Sequence, residues 1–160
     1  MRRISFTLCA IAFLAITVAA QQPVVVPGQA QELKGVTRVY VSTVSKDARN
    51  NIVAEIKKRL PQLTLTERSD EAEVWLLFSI EQRSFPKASP SGLGATNIFV
   101  TSAQYEVVAS GAVIKPVTKE SAHRLIEFRE TADTVTSFPE QALSTKFARA
   151  FVKSYRKANP

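Results

Sequence analysis

The sequence contains one cysteine and one histidine in 160 residues. Cys9 lies inside the N-terminal apolar run, so the rest of the chain can form no disulfide and offers no thiol nucleophile or thiolate metal ligand. A lone histidine, His123, cannot build a multi-histidine metal site. We therefore predict neither a metal nor a cofactor. Sites that need several cysteines or several histidines are excluded.

Long apolar runs are also scarce, because the only one is at the N-terminus. It spans residues 4–18, follows Arg2 and Arg3, and ends in Val18-Ala19-Ala20. This pattern is typical of a cleaved signal peptide over residues 1–20, and the run is short for a membrane span of about 20 residues. The expected product is exported, to the periplasm or outside the cell. We expect it not to be lipid-anchored, since Cys9 sits within the run instead of after it, and we expect no transmembrane helix after cleavage.

Charge and composition leave the class of partner open. The chain carries +7 with 22% charged and 45% hydrophobic residues, and it keeps +5 when Arg2 and Arg3 are set aside. This composition is that of a soluble globular domain. The excess of positive charge favours solubility, or alternatively attraction to an anionic envelope surface or acidic polymer. The partner is not identified by these numbers.

Hydrophobic periodicity predicts an α/β two-layer domain. Residues 21–34 hold Pro23, Pro27 and Gly28 and are predicted to be a flexible leader, followed by a single domain over 35–158. The element order is β-α-β-β-β-β-α, giving a mixed sheet of about five strands with two helices on one face. The predicted strands cover 36–44, 63–67, 73–83, 99–115 and 123–131. One helix is predicted to start after a cap at Ser45 or Asp47 and to run to Leu60, and the other to start at a capping box of Ser137 and Glu140 and to run to about Lys157. A long loop is expected at 84–97, and a bulge near Ser110-Gly111.

Few residues of the sequence stand in a pattern typical of a catalytic site. Ser84-Phe85-Pro86-Lys87 matches Ser-x-x-Lys, but it is set among prolines and lacks the companion motifs of penicillin-interacting enzymes. His123 has no Gly-x-Ser-x-Gly partner. Clustered acidic residues at 70–73 and 127–133 suit solvated turns and strand ends. We predict no catalytic residue and a non-enzymatic chain, with a small serine hydrolase using the 84–97 loop as the alternative.

Two surfaces are candidates for binding. Apolar side chains in and beside the 84–97 loop are the first, since long loops often carry function. They are Phe85, Leu93, Ile98 and Phe99. The second is a basic face that helical spacing places opposite the apolar stripe of the last helix. It comprises Lys146, Arg149, Lys153, Arg156 and Lys157. It is read as a solvated face, or alternatively as a module adsorbing to anionic membrane or cell-wall polymer; no nucleic acid is expected.

Three stretches carry a family resemblance: VTRVYVSTV, SDEAEVWLLFSIEQ and PEQALSTKFARAFVKSYRKA. With them the chain resembles bacterial envelope accessory α/β domains, namely the domain of curli-secretion-type lipoproteins and the amino-terminal domain of the Tol translocation protein. The resemblance implies assembly or binding, and it supplies no catalytic residue. The expected function is a non-catalytic binding or assembly role in the envelope, with an envelope protein or an anionic envelope surface as partner.

Overall fold

The computed structural model describes residues 23–91, 98–133 and 138–160, and for 85–91, 98–105 and 133 it describes the backbone. In these residues the strands are β1 (Val24–Pro27), β2 (Arg38–Thr43), β3 (Thr64–Thr66), β4 (Val74–Ser91), β5 (Ile98–Pro116) and β6 (Ser121–Asp133). The helices are α1 (Lys46–Arg59) and α2 (Pro139–Ala158), with short 3₁₀ turns at Ala30–Leu33 and Ser69–Glu71.

The predicted two-layer α/β class is confirmed, with one strand more than expected. The described strands form one mixed sheet in the order β1-β6-β5-β4-β2-β3. β2 pairs parallel with β3 and β4, whereas β4, β5 and β6 form an antiparallel meander. Helix α1 is the crossover between the parallel strands β2 and β3, as the predicted order requires. Both helices pack on the same side of the sheet.

The sixth strand comes from the segment predicted to be a flexible leader. Val24–Pro27 pairs parallel with β6, and Leu33 is fully buried in the core. Glu32 secures the segment, since its side chain lies 2.8 Å from Nδ1 of His123 and its backbone carbonyl accepts from Nζ of Lys115. The prediction failed here because prolines suit edge strands as well as leaders.

The predicted long loop at 84–97 is also different in the structure. β4 continues to Ser91 and pairs with β5 throughout, so residues 84–91 are strand and only 92–97 lie outside the described residues. The predicted bulge near Ser110-Gly111 is instead a register shift between Val113 and Ile114 in the β5–β6 pairing. Pro86 and Pro90 are typical of a loop, so the sequence pattern did not predict this part of the strand.

The core centres on three phenylalanines packed over a glycine. Phe147 of α2 stacks on Phe78 with ring centroids 5.2 Å apart, and it meets Phe128 in a tilted arrangement at 5.5 Å. Directly beneath, a Cβ on Gly111 would lie 2.7 Å from the Phe147 ring. The close approach of α2 to β5 therefore requires glycine at this position.

The two helices run parallel and are joined along their length. Near the middle, Nε of Arg149 bonds Oε1 of Glu55 at 2.8 Å. Near the C-termini, Nη2 of Arg156 donates to the carbonyl of Arg59 at 3.0 Å. Both helices therefore begin at one end of the sheet and finish at the other.

Candidate functional site

The N-termini of the two helices meet at a shared hydrogen bond. Ser45 caps α1 by accepting from the backbone N–H of Ala48, and its hydroxyl donates to Glu140 in the first turn of α2. The expected capping box had Glu140 serving its own helix. Instead the cap position of α2 is Phe138, which makes no side-chain cap bond, and Ser137 lies outside the described residues. Glu140 thus fixes the spacing between the two helices.

A cleft of about 730 Å³ opens at this junction. Ile80, Gln82 and Val107 of the sheet line it together with the first turns of both helices. The helical residues that line it are Asp47, Asn50, Asn51, Phe138, Pro139, Glu140 and Gln141. Four of the lining side chains are amides, which both donate and accept hydrogen bonds. The cleft therefore suits a ligand with alternating donors and acceptors, such as a polypeptide backbone.

Phe138 is the most unusual residue of the cleft. Its φ is +63°, in the left-handed region, and its side chain is 74% exposed. A bulky residue pays a conformational cost in this region, and a ring of this size gains nothing from solvent exposure. The ring stands at the mouth of the cleft, where it can serve as an aromatic contact for a bound molecule.

An open strand edge adjoins the cleft. β2 ends at Thr43, opposite Phe78 of β4, whereas β4 runs on to Ser91. In the described part of the chain, no strand pairs with β4 past Phe78 on the side away from β5. The backbone hydrogen-bonding groups along this stretch are consequently available to a partner strand.

The ladder identifies which residues face that edge. The Val117 N–H donates to the carbonyl of Ser121, so the backbone groups of Val117 point towards β6. Because successive residues of a strand point to opposite sides, those of Ile114 point towards β4, where Ile114 lies opposite Trp75. Odd-numbered residues of β4 from Trp75 onward therefore bond β5. Even-numbered residues, Gln82 among them, direct their N–H and C=O groups to the open edge.

The predicted binding residues fall on the paired strands beyond this point. Phe85 lies opposite Gln104, and Ile98 and Phe99 lie opposite Ser91 and Pro90 in the register. Leu93 lies outside the described residues. Their role in binding stays a prediction. Sequence reasoning missed the cleft residues, because single amides at helix starts are ordinary surface residues until the fold brings the two helices together.

The structure does not bring Ser84 and His123 together. Ser84 is opposite Tyr105 of β5, and His123 is opposite Lys115 of the same strand. Ten residues of β5 separate these positions, which is about 33 Å at a strand rise of roughly 3.3 Å. His123 is instead engaged with Glu32, whose pKa is lowered by the Gln29 backbone N–H and by His123.

The predicted basic face is divided between two uses. Lys146 bonds Glu130 at 2.6 Å and Arg149 bonds Glu55, so both are ion-paired to other elements. Glu55 is only 12% exposed, and Arg149 and then Arg59 lower its pKa. Lys153, Arg156 and Lys157 remain exposed at the far end of α2. Lys146 therefore ties α2 to β6, and Arg149 and Arg156 tie it to α1.

Over 23–91, 98–133 and 138–160, no group of three or more histidine, cysteine, aspartate or glutamate side chains is placed to hold a metal ion. Within the same ranges, neither helix has the length and hydrophobicity needed to cross a bilayer.

Comparison with known proteins adds little to the geometry. No family model matches the chain, and no curated protein matches it significantly. Among solved structures, it is similar to the solution NMR structure of an uncharacterized lipoprotein B from Nitrosomonas europaea. The two share 9% identity over 80% of this chain and 86% of that chain, with a TM-score of 0.30. A likeness of this size supports no argument about function.

Proposed function

We propose that this protein is a non-catalytic binding protein that captures an extended polypeptide segment as an added strand on the open edge of β4. The observation that supports this is the end of β2 opposite Phe78, while β4 continues. A bound segment would take up the line of β2 and hydrogen-bond the outward groups of Ile80, Gln82 and Ser84. Hydrogen bonds between the two main chains would supply affinity that depends little on the amino-acid sequence of the bound segment.

The usable edge has a defined length. It starts after Phe78, where β2 stops, and Pro86 and Pro90 lie at the same edge-facing positions as Gln82. Proline has no N–H to offer, so it interrupts the ladder that a partner would need. The open stretch is therefore Ser79–Phe85, which accommodates one short strand of about five residues.

The cleft gives this edge its selectivity. Ile80 and Gln82 project from the open stretch of β4 into the cleft, and the amides of Asn50 and Asn51 stand across from them. An incoming strand alternates its side chains, so every second one would face the cleft and the Phe138 ring. We expect apolar or aromatic side chains at these alternate positions of the ligand.

The cellular setting follows from the sequence predictions. An exported chain without a catalytic constellation fits an accessory role in the envelope, where extended segments of secreted or assembling proteins are available. Both the location and the absence of turnover stay predictions, and the binding geometry does not depend on either.

The test is selection of displayed random ten-residue peptides on the whole protein, followed by two variants. Gln82→Pro removes one outward N–H and obstructs the edge, so affinity for a selected peptide should fall about tenfold or more. Gln82→Ala, the matched control, also removes the side chain from the cleft but keeps the backbone donor, so it should bind clearly more tightly than the proline variant.

A second measurement guards against misfolding of the proline variant. In the unaltered protein, peptide binding should slow hydrogen exchange at the Gln82 amide and leave the Glu81 amide, which already bonds β5, unchanged. Equal affinity of the two Gln82 variants, or unaltered exchange at Gln82 on binding, would rule out strand addition. Recovery of no peptide from the selection would also count against it.

A further inference from the structure

The positive charge of this protein is concentrated at one end of the molecule. Because α1 and α2 run parallel, their C-termini lie together, as the bond from Arg156 to the Arg59 carbonyl shows. The 3₁₀ turn at Ala30–Leu33 ends at the same place, where Asn159 bonds the Leu33 carbonyl and the Gly35 N–H. We call this end the basic pole; its exposed cations are Lys34, Lys57, Lys58, Lys153, Arg156 and Lys157.

These cations are not neutralised locally. In the part of the chain that the structure describes, none of the six lies within 4.0 Å of a carboxylate, whereas the neighbouring Arg59 is paired with Glu55. They are six of the chain's 21 lysines and arginines, and they lie together where the two helices end.

We propose that the basic pole is a docking surface for an anionic lipid bilayer. Its cations come from the ends of three separate elements, which suits a broad array of phosphate headgroups. The large hydrophobic residues exposed at this end of the sheet, Val24 and Val117, lie on β1 and in the β5–β6 turn and not on the three elements that carry the cations, so the proposed contact is mainly electrostatic. Fewer cations would be enough to compensate the dipoles at the two helix C-termini.

Docking at this pole would orient the molecule. The cleft and the open edge lie at the N-terminal end of α2, and the 20 residues of this helix span about 30 Å. The pole would rest on the headgroups while the cleft faces away from the membrane. The inference is independent of what the cleft binds.

Co-sedimentation with phosphatidylglycerol–phosphatidylcholine vesicles tests the proposal, with pure phosphatidylcholine vesicles as reference. The full protein should sediment with the anionic vesicles at low salt and be released at high salt. Reversing Lys57, Lys153 and Lys157 to glutamate should weaken vesicle binding by about a hundredfold or more. The matched control reverses Lys46, Arg83 and Arg129, which are exposed away from this end of the sheet, and should bind more tightly than the pole variant by at least tenfold.

Thermal unfolding of both variants checks that each is folded, and glutamine in place of glutamate at the three pole positions provides a milder version. Equal sedimentation of the original protein with anionic and neutral vesicles would overturn the proposal. So would equal losses in the pole and control variants. Binding of soluble polyphosphate without binding of anionic vesicles would assign the pole to a polymer instead.

Discussion

The hydroxyl of Ser45 donates to the carboxylate of Glu140, which joins the first turns of two helices that are far apart in sequence. The same hydroxyl accepts from the Ala48 N–H at 3.2 Å, so one side chain caps α1 and positions α2. The cleft is built on this junction. Its width depends on a serine whose capping role could be anticipated and on a glutamate whose partner could not.

Ser45→Ala should lower the free energy of unfolding by about 1 kcal/mol or somewhat more, since an N-cap serine contributes that amount and Glu140 also loses a donor. Ser45→Asn keeps a capping oxygen and should recover part of the loss. Urea titration followed by circular dichroism measures both. An alanine variant as stable as the original would mean that the junction contributes nothing.

Phe138→Gly should stabilise the fold while weakening ligand binding. Glycine adopts φ of +63° without strain, and the ring is 74% exposed, so relief of about 1 kcal/mol outweighs the lost packing. Phe138→Ala removes the same ring but keeps the backbone strain, so it should weaken binding without the gain in stability. Denaturant unfolding and peptide affinity separate the two effects, and a destabilised glycine variant would disprove the strain argument.

Gly111→Ala should destabilise the core by about 1–3 kcal/mol, because its Cβ would clash with the Phe147 ring. The ring, rather than the strand backbone, is the expected cause. Phe147→Leu alone creates a cavity, but the double variant should lose less than the sum of the single losses. Simple additivity in this double-mutant cycle would show that the two residues do not interact.

Glu73 should make stability fall in acid. Its Oε2 accepts from the backbone N–H groups of Thr37 and Arg38 at 2.6 and 3.1 Å, and the Thr37 bond is the main cause of its lowered pKa. A carboxyl whose pKa is lower in the folded state stabilises fully above the unfolded value of about 4.3 and loses that contribution as pH falls through the folded value.

Glu73→Gln should therefore reduce stability at neutral pH and flatten its decline towards pH 4 and below. Glu81→Gln removes an exposed carboxyl of β4 that bonds the Arg83 side chain instead of backbone N–H groups, and it serves as the comparison. Unfolding midpoints across this pH range give the answer. Parallel profiles for the original protein and the Glu73 variant would refute the assignment.

Ser84 should resist fluorophosphonate and penicillin probes. Its separation from His123 along β5 leaves it without that base, so we expect its hydroxyl to react no faster than that of an ordinary serine. Mass spectrometry of the probe-treated protein, with Ser84→Ala alongside, measures labelling. Stoichiometric modification that disappears in the alanine variant would establish the serine hydrolase alternative.

Regular periodicity made much of this fold predictable. The four-residue spacing of Ala48, Ile52 and Ile56 identified the buried stripe of α1, and alternation identified the strands around Val39 and Phe78. β1 was missed, because short edge strands tolerate proline and need no buried side chain. The extension of β4 was missed for the same reason, since Pro86 resembles a loop residue until its position on an edge is known.

The candidate site was less predictable than the fold. The basic residues of α2 were identified, but helical spacing alone could not separate Arg149, which is paired across to Glu55, from Lys157, which is not. That distinction requires knowing that α1 lies alongside and runs in the same direction. The cleft likewise forms between elements that are far apart in sequence, so no local sequence pattern predicts it.

The placement of Pro86 and Pro90 has a consequence for the protein in concentrated solution. Residues 84–91 extend the antiparallel pair of β4 and β5 by about 25 Å, beyond the reach of β6. Among the described residues no third strand pairs with this stretch, and a two-stranded ribbon of this kind is a template on which identical molecules stack into cross-β fibres. Pro86 and Pro90 lie on its outer edge and have no N–H group, so they interrupt the row of backbone donors that such stacking needs. Replacing both with threonine should therefore shorten the lag before thioflavin-positive fibrils form, with the native ribbon itself left intact.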